Sequence, residues 1–168
     1  MATNSTDAAS YGDLYQWGRA ADGHQIRTSE TTTTLSSSDT PGHGDFILSP
    51  NGPNDWRSPQ NNDLWQGVNG INNPCPDAFR LPTAAELDAE RLSWSSNNSV
   101  GAFASPLKIP LAGYRLETGV LDQFGYIGSY WSSTVNGTGS SFLDIWSGDA
   151  NIYSTRRGNG FSVRCIKN

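Results

Sequence analysis

Few residues in this chain have the types and spacing that catalysis needs. Its two histidines, His24 and His43, sit in Gly-rich loops, so a His-based metal site would have to draw on carboxylates. Asp45, Asp55 and Asp63 are loop acids that could hold a structural calcium ion, although solvated acids are the commoner case in loops. No H-E-x-x-H, C-x-x-C or G-x-S-x-G spacing occurs, which leaves zinc-hydrolase, dithiol and serine-nucleophile chemistry without its residues. The expectation is no catalytic residue, no metal and no cofactor. Cys75 and Cys165 lie 90 residues apart. They are either two thiols packed as small hydrophobes or one bridge. The bridge is the expectation, and closing so long a loop would add roughly 4–5 kcal/mol in the chain-entropy model. A bridge points to an oxidising setting, a cell surface, secreted fluid or virion.

Binding chemistry does have its residues, between Gly128 and Cys165. Around Leu143 and Ile145 the pattern alternates, with Phe142, Asp144 and Trp146 on the other face. Ser147-Gly148-Asp149 supplies a turn. The strand that follows puts Ile152 on one side and Asn151 and Tyr153 on the other. If Leu143, Ile145 and Ile152 face the core, then Phe142, Asp144, Trp146, Asn151 and Tyr153 share an exposed face. Ser129, Asn136, Thr155 and Asn159 would lie around its edge. Large aromatics among Asp and Asn suit a binding surface, because they offer contact area at low entropic cost. The plainer alternative is that Phe142 and Trp146 pack beneath a loop of the same chain.

Positioning such a face requires a scaffold, and composition bounds its kind. The chain has 168 residues, enough for one domain with a proper core. Only 16% of residues are charged and 35% hydrophobic, while eighteen Gly and nine Pro punctuate the sequence. Such a chain is rich in loops and short strands. A net charge of −5 argues against nucleic acid as a partner, since phosphate binding needs clustered Lys and Arg. No apolar stretch is long enough to span a bilayer, so no membrane insertion is expected. The opening MATNSTDAAS has neither a basic nor an apolar region and does not read as a signal peptide.

The elements follow in order. Residues 1–10 read as a disordered tail and 11–168 as the domain. YGDLYQW, residues 11–17, is the first core strand, centred on Leu14. Residues 28–45 form a long mobile Thr/Ser/Gly-rich loop, and Phe46, Ile47 and Leu48 re-enter the core. Trp56 and Trp65 should be buried, because the Asn/Pro/Gly-rich loop around them needs anchors. One clear helix is expected over 84–92, announced by Thr83 and Glu86 as a capping box. Residues 102–115 look extended, restricted to an edge by Pro106 and Pro110. Leu87, Trp131, Leu143, Ile145, Ile152, Phe161 and Val163 should meet in one core.

The motifs YGDLYQWGRAADGH, NDWR, LWQG, NPCPDAFRLPTAAEL, PLAGYR, GSYWSST and GFSVRC occur in this order. Together they resemble the bacterial and archaeal domain family first described as a major paralogous domain of Fibrobacter, from about residue 11 to 167. That family is similar to the C-type lectin-like fold, with an architecture related to the formylglycine-generating enzyme. The resemblance implies an α+β domain with a twisted antiparallel sheet, long irregular loops and terminal strands lying close together. It does not imply the enzyme's chemistry, which uses paired late cysteines where this chain has only Cys165. Nor does it imply calcium-dependent sugar binding, because the EPN, QPD and WND motifs are absent and Asn54-Asp55-Trp56 runs in reverse order.

A narrower group is also similar: the variable proteins of diversity-generating retroelements, which carry a hypermutated C-terminal segment on such a domain. Template adenines scatter codons into Asn, Tyr, Ser, Thr, Asp and Phe, and residues 134–159, within a variable region of about 129–159, are rich in them, although loops favour several of these residues anyway. Asn136, Thr138, Asp144, Asn151, Tyr153, Thr155 and Asn159 belong to that set. The resemblance implies a ligand-binding, non-enzymatic module for a protein or surface ligand, its variable side chains held on a framework of Trp131, Ser132, Arg164 and the GFSVRC strand. The alternative is a carbohydrate- or cell-wall-binding domain of an exported bacterial protein, with Trp146 and Tyr153 stacking on sugar rings.

Overall fold

The most regular part of the chain is a three-stranded antiparallel sheet built from the stretch singled out above. A computed structural model describes residues 3–52 and 54–168. Its elements are β1 (Tyr15–Gln16), β2 (Thr31–Thr32), β3 (Phe46–Ile47), β4 (Phe79–Arg80), α1 (Ala84–Leu92) and α2 (Ser99–Ala104). These are followed by β5 (Tyr114–Arg115), β6 (Leu121–Asp122), β7 (Gly128–Asn136), β8 (Gly139–Ile145), β9 (Ala150–Arg156), β10 (Gly160–Phe161) and β11 (Ile166–Lys167). The fold is mixed α+β. Strands β7-β8-β9 form one sheet, β1-β10-β5-β6 a second, and β4 pairs with β11; all of these pairings are antiparallel, whereas β2 and β3 run parallel. The first strand therefore lies beside β10, near the end of the chain.

Helix α1 starts where its sequence says it should. Thr83 accepts from the Glu86 amide and the Glu86 carboxylate accepts from the Thr83 amide, which satisfies two of the otherwise orphaned amides. Leu87 on its inner face meets Leu143, Ile145 and Tyr130, with Ile152 packed alongside. A second helix replaces part of the extended segment expected over 102–115. Asn98 caps it by accepting from the Val100 and Gly101 amides, and Pro106 falls just past its end, where proline ends a helix without breaking one.

The single core expected from sequence is instead divided by the β7–β9 sheet. Leu87, Leu143, Ile145 and Ile152 lie on the helix side. Trp131, Phe161 and Val163 lie on the other, together with Trp17, Trp65, Leu81 and Phe142. The anchoring tryptophans Trp56 and Trp65 are fully buried, and the Trp56 indole donates to the Trp17 carbonyl at 2.7 Å.

The segment expected as a disordered tail holds a 3-10 turn at Ala8–Ser10, and the Leu111 amide donates to the Ser5 carbonyl at 2.7 Å. The loop over residues 28–45 is tied down in part, since Asp39 forms an ion pair with Arg57 at 2.8 Å and accepts a hydrogen bond from Asn61 at 3.0 Å. Cys75 and Cys165 form a disulfide, with Cα atoms 5.8 Å apart, that clips the approach to β4 onto the approach to β11.

Candidate functional site

The register of the central sheet decides which side chains share a face. Ser129 opposes Asp144, which opposes Asn151; Trp131 opposes Phe142, which opposes Tyr153. Directly opposed residues project to the same side of a sheet. Ser129, Trp131, Phe142, Asp144, Asn151 and Tyr153 therefore share one face, and Leu143, Ile145 and Ile152 the other. Trp146 continues the first face beyond the end of β8. Its amide donates to the Asp149 carbonyl at 2.9 Å, closing the turn into β9, and its ring lies nearly parallel to Tyr153 with centroids 6.5 Å apart. In register, the Asp144–Asn151 pair sits between these two aromatics.

Depth divides this face in a way that alternation could not. Tyr153 is 45% exposed and Asn151 is exposed, while Asp144 and Trp146 are half-buried. Phe142, expected among the exposed residues, is buried at 8% exposure. Phe161 arrives from β10 and covers it at 4.7 Å between ring centroids, with Trp131 at 5.9 Å. Ser129, expected at the rim, is also buried; its hydroxyl donates to an Asp144 carboxylate oxygen at 2.7 Å and so fixes that side chain. Asn159, likewise expected at the rim, is buried. It accepts from the Glu117 amide at 2.9 Å and donates to the Thr155 hydroxyl at 3.2 Å. Thr155 is half-buried, and Asn136 is exposed at the β7–β8 turn beside an open cleft that also includes Asn54, Thr138 and Arg156.

The framework beneath is held by side chain–backbone hydrogen bonds. The Trp131 indole donates to the Tyr15 carbonyl at 2.7 Å, and the Ser132 hydroxyl to the Ser141 carbonyl at 2.7 Å. Arg164, expected to belong to this framework, is exposed and donates to the Leu107 carbonyl.

Sequence reasoning missed Tyr114 and Asp122, which are paired across the β5–β6 hairpin. Burial raises the Tyr114 pKa, and the negative charges of Asp122 and Asp144 raise it further. The PLAGYR motif marked a strand but carried no sign of which surface that strand borders. Asp144 itself is pushed up by burial, with the Ser129 hydroxyl and the Ile145 amide acting against that shift.

The histidines and loop acids are spoken for or apart. His24 is fully buried, with its Nε2 accepting from the Gln16 amide at 3.1 Å and its Nδ1 2.6 Å from Asp22. Burial pushes its pKa down to about 4, so the ring is neutral at pH 7. Asp55 is buried beside the Arg157 guanidinium, 3.9 Å away, and accepts from Gln60 at 3.1 Å. Asp63 is exposed. Among the described residues no three His, Cys, Asp or Glu side chains converge as metal ligands. Among the same residues, no helix is long and apolar enough to cross a membrane. Compared with protein-family models, with curated proteins and with solved structures, the chain matches none.

Proposed function

We propose that this chain is a binding module of the C-type lectin-like kind, one that presents a variable C-terminal surface to a protein ligand, as retroelement variable proteins do. One observation carries the reading: the outward side chains of β9 and the adjoining turn are separable from the structure that supports them. Among the described residues neither the Tyr153 hydroxyl nor the Trp146 indole makes a hydrogen bond within the chain, and Asn151 bonds only the neighbouring Ile152 amide. Their backbone, in contrast, is paired along the whole of β8. Side chains of this kind can change without unsettling the core, which is what a variable surface requires. The lectin-like assignment is supported by the pairing of β1 with β10, the small helical content and the long loops.

The test is the DNA flanking the coding sequence. A near-identical copy of the segment encoding residues 129–159, differing at adenines and lying beside a reverse-transcriptase gene, is the expected finding. Its absence sinks the retroelement reading. A glycan array bound by the wild type and unbound by Tyr153→Ala would move the assignment to the carbohydrate-binding alternative.

A further inference from the structure

The Asp144 corner of the outer face has an unusual electrostatic character. Its carboxylate is half-buried and oriented by the Ser129 hydroxyl at 2.7 Å, yet among the described residues no Lys, Arg or His forms an ion pair with it. The basic residues at the end of β9 lie away from it and are engaged: Arg156, opposite Gly139, pairs with Glu117 at 2.6 Å, and the Arg157 guanidinium is buried over the Trp17 ring. A partly desolvated, uncompensated carboxylate is costly unless a cation arrives. Aromatic rings stand on either side in register, and aromatic faces attract cations.

We infer that this corner takes a cationic side chain, lysine or arginine, from a partner protein, with Asp144 as counter-ion and Trp146 and Tyr153 as flanking walls. The inference rests on the binding reading above and narrows it to a partner chemistry. A metal ion does not fit, because calcium needs six or more oxygen ligands and this corner offers one carboxylate among rings. The surroundings are an open sheet face, where a side chain carried on a partner's surface gains its remaining contacts from its neighbours.

The experiment is selection of random displayed peptides on the intact, oxidised chain, followed by affinity measurement with the synthetic winners. Enriched peptides should carry Lys or Arg at a recurring position. Their affinity should fall about ten- to a hundredfold in Asp144→Asn, the range for loss of a charge-assisted hydrogen bond, and should weaken with salt. Asp144→Asn keeps an oxygen for the Ser129 hydroxyl, and its unfolding midpoint is measured alongside. Neutral or acidic winners, or basic winners that bind Asp144→Asn unchanged, overturn the inference. Tyr153→Ala then separates the two failures. If those winners lose affinity in Tyr153→Ala, the face binds but its preference is not for cations. If Tyr153→Ala leaves binding unchanged, the face itself is wrongly assigned.

Discussion

Phe142→Ala is the perturbation that most sharply divides support from display. Phe142 and Tyr153 are opposed in register on one face, yet Phe142 is 8% exposed and Tyr153 45%. A buried aromatic side chain removes about 150–250 Å² from water. At ~25 cal/mol per Å² this is about 4–6 kcal/mol, of which alanine keeps a small part. The ring is closely surrounded, by Phe161 at 4.7 Å, Trp131 at 5.9 Å and Tyr153 at 6.3 Å, so its removal leaves a cavity. The expected loss is about 3–5 kcal/mol, in the range of measured Phe-to-Ala core changes. Tyr153→Ala should cost under about 1 kcal/mol, as surface positions do. Urea unfolding with the disulfide intact reads both. At a slope of about 2 kcal/mol per M, the Phe142→Ala midpoint should fall by about 2 M and that of Tyr153→Ala by less than about 0.5 M. A small shift for Phe142→Ala would mean that the second core does not close over the sheet. A large one for Tyr153→Ala would mean that the outer row supports the fold and is not free to vary.

Three further outcomes follow from particular contacts. Replacing Cys75 and Cys165 together by Ser should lower stability by about 4–5 kcal/mol, because the bridge closes a 90-residue loop; an unchanged denaturant midpoint would refute this. Acidification from pH 7 to pH 5 sets His24 against Asp55. The His24 pKa is lowered to about 4 from 6.5, so the stability its neutral ring contributes is present above pH 6.5 and lost as pH falls, about 2 kcal/mol by pH 5. The Asp55 pKa is raised to about 6 from 3.8, so its contribution grows as pH falls, by about 1 kcal/mol over the same span. Taken together these two groups lower stability by about 1 kcal/mol, and Asp55→Asn should deepen the fall to about 2 kcal/mol; a shallower fall in that variant contradicts the assignment. Gly101→Ala should destabilise by about 1–3 kcal/mol despite lying in helix α2, where Ala is ordinarily the better residue, because a Cβ there runs into the Ser96 carbonyl; a gain in melting temperature would show that this turn can shift.

The sequence by itself determined what is local. The Thr83–Glu86 box set the start of α1, and alternation through Leu143, Ile145 and Ile152 set the register of β8 and β9, because both depend on spacing along one segment. The burial of Trp56 and Trp65 was legible too, since a long polar loop needs apolar anchors. Helix α2 was missed because the prolines that argued for an extended segment stand beyond its end. What only the tertiary structure decided is depth. Alternation states that Phe142 and Tyr153 point the same way, but not that Phe161, nineteen positions along in β10, covers one and leaves the other bare. The same holds for Ser129 and Asn159, small polar residues that read as rim and prove to be buried supports. A side chain's direction is fixed by its own strand. Its exposure is fixed by whatever distant segment packs over it, and the spacing within a strand carries no record of that segment.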